Sequence, residues 1–223
     1  MNSQFDSETL ERIERCAVMA VLVVDDAASA VPLARALVAG GVDAMELTLR
    51  TPAAIDALVA VRREVPEMLC GIGTILTPEQ VSAVREAGAA FGVSPGVNPR
   101  VIRAAQEAGL PFAPGVVTPS DVEAAIELGC RELKFFPAEP SGGLGYLKSL
   151  AAPYAHLGVR FVPLGGVSTK NLAAYLGELL VLAVGGSWLA PRDLIAAADW
   201  PAITARAEEA SRIARGARPH HTS

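Results

Sequence analysis

Ala44-Met45-Glu46-Leu47-Thr48-Leu49-Arg50 decides how this chain folds. Met45, Leu47 and Leu49 alternate with Glu46, Thr48 and Arg50, which is the two-residue period of a β-strand carrying one apolar and one polar side. Thr51-Pro52 follows, a cap-then-proline pair that opens a helix. Working outward, short apolar or β-branched runs recur at 18–24, 69–74, 91–95, 112–117, 132–137, 160–165 and 180–185, each trailed by an Ala-rich stretch with helical periodicity. With 44–49 the runs number eight, and their centres lie about 20 to 28 residues apart, room for one strand, one helix and two loops.

The punctuation agrees with this division. Gly40-Gly41, Gly88, Gly109 and Gly129 stop helices, while Thr77-Pro78, Asn98-Pro99 and Thr118-Pro119 start them, Gln80 completing a capping box. Eight right-handed βα units in one sheet close most simply into a (β/α)8 (TIM) barrel. An open doubly wound sheet would carry Gly-x-Gly-x-x-Gly after its first strand, where Val23-Val24-Asp25-Asp26 stands instead. The expectation is therefore an α/β chain, 1–223 in one barrel domain with its core at about 18–210. Residues 7–16 form an extra N-terminal helix, 201–215 a closing amphipathic helix, and 217–223 a frayed tail.

Composition narrows the function classes. Hydrophobic residues at 51% against 19% charged favour a large core over disorder. A net charge of −5 with no basic block argues against a nucleic-acid partner. Cys16, Cys70 and Cys130 are scattered, which suits free thiols in a reducing compartment rather than a disulfide framework or zinc site. The polar, acidic start lacks the pattern of a signal peptide, and no apolar run reaches the roughly 18 residues of a membrane span. A cytoplasmic protein with no membrane partner is the expectation. His156 reads as a surface residue and His220 and His221 fall in the tail, so no histidine-based metal site is expected.

Barrel interiors are normally filled by branched apolar side chains, so polar residues inside a strand point to the interior or its mouth. Glu46, Thr48 and Arg50 share one side of the second strand, successive members standing about 6–7 Å apart along it. The plain reading is an ion pair plugging the barrel. Burying charges costs several kcal/mol unless they are paired, which makes a purely structural use an odd choice. Of the lysines, only Lys134 sits inside a strand, Glu132-Leu133-Lys134-Phe135-Phe136-Pro137; Lys148 and Lys170 belong to solvated positions. Desolvation favours the free amine, which is what attack on a ketone requires, whereas Glu46 would favour the ammonium. The competition is left open by the sequence, and Lys134 as a mere partner of Glu46 is the alternative.

Loops after strands seven and eight of such barrels often bind phosphate. Here they carry Gly165-Gly166-Val167-Ser168 and Gly185-Gly186-Ser187-Trp188, which permit close backbone approach by an anion. Gly71-Ile72-Gly73-Thr74 ends strand three in the same style, and Thr74 could donate to a substrate carboxylate. Ser141-Gly142-Gly143-Leu144-Gly145 lacks the surroundings of a nucleotide loop and reads as a mobile loop.

Taken in order, Glu46-Leu47-Thr48-Leu49-Arg50-Thr51, Gly71-Ile72-Gly73-Thr74, Ser94-Pro95-Gly96, Lys134-Phe135-Phe136-Pro137-Ala138-Glu139, Gly165-Gly166-Val167 and Gly185-Gly186-Ser187-Trp188-Leu189 resemble the 2-keto-3-deoxy-6-phosphogluconate (KDPG) / 4-hydroxy-2-oxoglutarate (KHG) aldolase family over about residues 18–210. The resemblance implies a cofactor-free, metal-independent class I aldolase of the Entner–Doudoroff route. It also implies a homotrimer acting on a small phosphorylated 2-keto-3-deoxy acid. Matched by motif, Lys134 is the Schiff-base lysine and Glu46 the general acid/base. Arg50 and Thr74 hold the pyruvate carboxylate, Pro95 and Phe136 line that pocket, and Gly165, Gly166 and Ser187 cradle phosphate. Pro163-Leu164-Gly165-Gly166 departs from the family's usual Pro-Thr-Gly-Gly. The missing hydroxyl bears on the stereochemistry at C4 and keeps the galactonate-derived epimer and KHG as alternative substrates. A phosphosugar isomerase or a non-catalytic phosphometabolite-binding barrel are competing readings, since fold does not fix function.

Overall fold

Parallel strands alternate with helices throughout residues 3–218, the part of the chain that the computed structural model describes. The strands are β1 (Val18–Leu22), β2 (Ala44–Thr48), β3 (Leu69–Gly73), β4 (Gly92–Val93), β5 (Phe112–Ala113), β6 (Gly115–Val116), β7 (Glu132–Phe135), β8 (Arg160–Pro163) and β9 (Val184–Gly186). The helices are α1 (Ser7–Cys16), α2 (Ala30–Ala39), α3 (Ala54–Glu64), α4 (Pro78–Glu86), α5 (Pro99–Glu107), α6 (Pro119–Glu127), α7 (Gly143–Ala151), α8 (Leu172–Leu176), α9 (Arg192–Ala196) and α10 (Trp200–Ala217). Of the expected tail at 217–223, Ala217 closes α10 and Arg218 donates to the Leu182 carbonyl, so these two residues are held; the rest, with His220 and His221, lies outside the described residues.

Hydrogen bonding orders the strands as β5-β4-β3-β2-β1-β9 in one sheet and β6-β7-β8 in another. The two sheets meet at both edges. β5 and β6 are one run interrupted at Pro114, the first half pairing with β4 and the second with β7. Proline has no N–H to give a ladder, so the expected fifth strand at 112–117 breaks there, although the Pro114 carbonyl still accepts the Lys134 N–H at 2.9 Å. At the other edge Val181 bridges Phe161 of β8 before the chain pairs with β1 as β9. The expected eighth strand at 180–185 is thus a single bridge followed by β9. The arrangement is a parallel, barrel-like α/β fold with its helices outside.

Local sequence explains several helix starts. Thr77 and Thr118 form reciprocal capping boxes with Gln80 and Asp121, and Asn98 caps α5 through the Arg100 N–H. Thr51-Pro52 behaves differently from expectation. The helix starts at Ala54 without a side-chain cap, because the Thr51 hydroxyl donates instead to the Val24 carbonyl and ties the end of β2 to the segment after β1. Gly40 also does more than stop a helix. A Cβ there would stand 2.4 Å from the Ala207 Cβ, so the missing side chain lets the end of α2 lie against α10.

The N-terminal residues, read from sequence as a polar lead, contribute to the core. Phe5 is buried with its ring 6.4 Å from Phe91, and the Ser3 hydroxyl donates to the buried Glu132 carboxylate at 2.7 Å. They close one end of the interior; the cavity described next opens at the other.

Candidate active site

Lys134 and Glu46 come from β7 and β2, strands of different sheets, and meet in the interior that the two sheets enclose. Lys134 Nζ donates to Glu46 Oε1 at 3.4 Å, with side-chain exposures of 8% and 1%. Burial so deep makes each the other's main compensation, since an unpaired charge in a water-poor interior is costly. The Phe136 ring centroid lies 5.1 Å from Nζ and offers its π-face to the amine. Phe135 turns the other way, fully buried and stacked with Tyr146 at 6.2 Å. Glu46 is held from beside as well. A Cβ on Gly73 would fall 1.7 Å from its Oε1, so the carboxylate occupies space that only glycine leaves open.

Above this pair a cavity of about 470 Å³ opens to solvent. It gathers Lys134, Arg50, Thr74, Pro95, Phe136, Gly165 and Ser187, and Thr48, Leu164 and Arg192 are also on its wall. The size suits a small sugar acid. A separate void of about 30 Å³ lies within the interior, with Glu46, Lys134 and Leu164 on its wall. Lys134 and Leu164 thus border both spaces.

Two sequence expectations change in position. Arg50 is not on the strand: β2 ends at Thr48, and Leu49 and Arg50 form a turn in which the Arg50 N–H reaches the Thr48 carbonyl at 2.7 Å. Arg50 is consequently exposed at the cavity rim rather than held in a water-poor interior. Strand alternation stopped applying once the last ladder bond was made. Gly166, expected in the anion cradle, is not on the cavity wall. Its backbone, at φ 85°, packs over Glu139, whose Cβ would lie 2.6 Å from a side chain at 166. Gly165, at φ 95°, does line the cavity and lies against the Phe136 ring.

Glu139 was not singled out from sequence, yet it supports this loop. Its N–H donates to the Gly165 carbonyl at 2.9 Å, and its carboxylate accepts from the Tyr175 hydroxyl at 2.6 Å. Burial and that carboxylate hold the Tyr175 phenol well above the ordinary tyrosine range, so it remains a donor. The Gly185-Gly186 pair likewise serves packing. A Cβ at 185 would strike Leu164 and one at 186 would strike the Trp188 ring. Gly186 and Ser187 still line the cavity.

Thr74 adopts φ 61°, a region a β-branched residue enters at a cost of about 1–3 kcal/mol. Such strain persists where the surroundings demand it, and here it sits at the end of β3 on the cavity wall. The buried thiols take no part: burial pushes Cys16, Cys70 and Cys130 up to about 12, which leaves them protonated and inert. Among the described residues no three His, Cys, Asp or Glu side chains cluster as a ligand set, and no helix is long and apolar enough to cross a membrane.

A desolvated amine beside a carboxylate, under an open cavity with an arginine at its rim, can attack a carbonyl carbon and relay protons to it. Comparison with known proteins points to the same chemistry. The family model for KDPG and KHG aldolase matches residues 10–206. This chain belongs to the KDPG and KHG aldolase family. It is 47% identical over 193 residues to the KHG/KDPG aldolase of Escherichia coli K12, covering 86% of this chain and 90% of that protein. The crystal structure of the Zymomonas mobilis ZM4 2-keto-3-deoxy-6-phosphogluconate aldolase with 3-phosphoglycerate superposes with a TM-score of 0.85 at 40% identity, covering 96% of this chain and all of that one. The KDPG aldolase of Legionella pneumophila, with pyruvate captured as a covalent carbinolamine, gives 0.85 at 38% identity over 89% of this chain and 96% of that one. The members of this family are lyases, and the present chain is an aldolase by the same descent.

Proposed function

We propose that this aldolase cleaves 2-keto-3-deoxy-6-phosphogluconate to pyruvate and glyceraldehyde 3-phosphate through a Schiff base on Lys134, with Glu46 as proton carrier. The observation that carries the assignment of these two residues is the buried Lys134 Nζ, 3.4 Å from Glu46 Oε1 beneath the open cavity. Nζ adds to the C2 carbonyl, giving a carbinolamine that loses water to form an iminium. The iminium draws the C3–C4 bonding pair as Glu46, directly or through water, takes the C4-hydroxyl proton. The aldehyde product leaves, an enamine remains, and protonation at C3 followed by hydrolysis releases pyruvate and the free amine. Arg50 and Thr74 hold the carboxylate end, Pro95 and Phe136 line it, and Gly165 with Ser187 cradles the phosphate. Gly166 acts through its packing on Glu139.

The closed (β/α)8 barrel belongs to this proposal, supported by the shared run at β5 and β6 and by the Phe161–Val181 bridge. The resemblance extends it to a single-domain homotrimer in the cytoplasm. Leu164 on the cavity wall favours a second substrate reading. A residue without a hydroxyl there reads C4 configuration weakly, so the galactonate epimer and 4-hydroxy-2-oxoglutarate are expected as slower substrates.

Incubation with pyruvate and borohydride, followed by peptide mapping, tests the mechanism: the reduced adduct is expected on Lys134. No adduct on Lys134 in active protein rules it out, and turnover by Lys134→Met would favour an isomerase-like acid/base scheme. A pyruvate-release assay across the three substrates ranks them, and preference for the galactonate compound reverses the substrate assignment.

A further inference from the structure

The cavity mouth holds an ion pair that the proposed reaction does not use. Arg192 lines the cavity in the segment that carries Ser187. Its Nε donates to Asp25 Oδ2 at 3.1 Å, and its Nη2 donates to Asp25 Oδ1. Asp25 lies beyond the end of β1 and Arg192 begins α9 beyond β9, and these strands are neighbours. The pair therefore spans two adjacent loops at the open end.

Its side chains are 59% and 60% exposed, so as a surface ion pair it adds little to stability. Orientation is what it supplies. The two bonds engage Nε–H and one hydrogen of Nη2, leaving both Nη1 hydrogens and the second Nη2 hydrogen free of Asp25. Arginines held in this way meet phosphate or carboxylate with a planar fork already aimed.

The cavity needs such a cation on this side. Its other cations are Lys134, occupied with Glu46, and Arg50, in the turn after β2 beside Thr74. Gly165, Gly186 and Ser187 lie at the ends of β8 and β9, and offer only neutral N–H and hydroxyl donors. A phosphate monoester brings about −1.5 to −2 charges near neutral pH. Around the ring β3-β2-β1-β9, Arg50 stands on one flank and Arg192 on the other, the flank that carries the neutral cradle.

We propose that Arg192, aimed by Asp25, is the cation that reads the anionic far end of the substrate, which makes it a specificity-determining residue and Asp25 its positioning residue. The proposal rests on the aldolase reading above and adds to it the recognition of the distal anion. The shared chemistry is a terminal oxyanion, phosphate in the six-carbon substrate or carboxylate in 4-hydroxy-2-oxoglutarate.

The test is steady-state cleavage of both substrates, with inorganic phosphate as a competitive inhibitor, by the unaltered protein and by Arg192→Ala, Arg192→Lys and Asp25→Ala. Arg192→Ala is expected to raise KM for the phosphorylated substrate, and Ki for phosphate, by about tenfold or more, with a smaller change in kcat. Arg192→Lys keeps the charge without the fork and should recover part of the loss. Asp25→Ala should raise KM by less, and the double variant should lose little beyond Arg192→Ala alone. Loss confined to the phosphorylated substrate and to phosphate assigns the phosphate; equal loss with 4-hydroxy-2-oxoglutarate assigns any terminal oxyanion. KM and Ki within about twofold of the unaltered protein in Arg192→Ala would overturn the proposal. Tighter binding in Asp25→Ala would make Asp25 a competitor for the arginine and overturn its positioning role. Unchanged Arg192→Ala kinetics beside a normal pyruvate adduct on Lys134 defeat this inference alone. Absence of that adduct in the unaltered protein defeats the aldolase reading and takes the inference with it.

Discussion

Replacing Gly73 with alanine adds one methyl group at a residue that carries no chemistry, and it should disable the enzyme. A Cβ at 73 would stand 1.7 Å from Glu46 Oε1 and 2.5 Å from its Cδ. Carbon and oxygen in contact settle about 3.3 Å apart, so the carboxylate must retreat by about 1.5 Å. The same oxygen accepts from Lys134 Nζ at 3.4 Å, a contact with no slack to absorb such a shift. Glu46 is 1% exposed and lies between β1 and β3, paired in register with Val21 and Gly71, and the interior void on whose wall it stands holds only about 30 Å³. The backbone at Gly73 is not left-handed, and the strain therefore falls on the side chain. Misplacement by about 1 Å costs on the order of 100-fold in rate, and overpacking costs about 1–3 kcal/mol. For a chain of this size, at about 2–4 °C per kcal/mol, that energy lowers Tm by roughly 2–12 °C. The assay is pyruvate release coupled to lactate dehydrogenase, read beside thermal unfolding, with Gly96→Ala as a control because a Cβ there meets nothing within 4 Å. Activity within about threefold of the unaltered protein, at unchanged Tm, would refute the claim that Glu46 must stand where it does.

Two further outcomes follow from burial. Lys134→Met leaves Glu46 buried without its cation and should lower unfolding free energy by about 3–5 kcal/mol, while Lys134→Met/Glu46→Gln should recover much of that loss in urea titrations; equal stability of the single and double variants would mean that water screens the pair. The three thiols, raised by burial from 9.0 to about 12, keep their proton in the folded state while the unfolded chain loses it. Their contribution to stability is fully present below pH about 9 and is lost as pH climbs through about 12, so the urea midpoint should fall across that window and fall less steeply in Cys70→Ala. A midpoint that stays level there would show the thiols to be hydrated.

The sequence was most informative where physics acts over a few residues. Cap-then-proline pairs at Thr77, Asn98 and Thr118 specified helix starts, because a side-chain oxygen and a fixed φ act within one turn. Thr51-Pro52 carried the same local signal and failed, since its hydroxyl found the Val24 carbonyl in the segment after β1. Lys134 stood out as the sole lysine within a strand, and Glu46 as a carboxylate on an alternating one. The alternation misled only at Arg50, two residues beyond the end of β2, where the chain had already left the sheet. Glu139 and Arg192 left weaker traces. Glu139 ended a recognised motif and Arg192 followed another, but their partners, Gly166, Tyr175 and Asp25, are distant in sequence.

By itself, then, the order of residues determined the strand–helix rhythm, the polar groups inside strands and the glycine-bearing ends of β8 and β9. Each depends on propensity, period or capping within a short window. Only the tertiary structure decided that Lys134 meets Glu46 across the interior, that Gly73 leaves room for that carboxylate, and that Asp25 aims Arg192 over the cavity. Those relations arise when the sheet brings strands far apart in sequence within a few ångströms, a distance that no local rule measures.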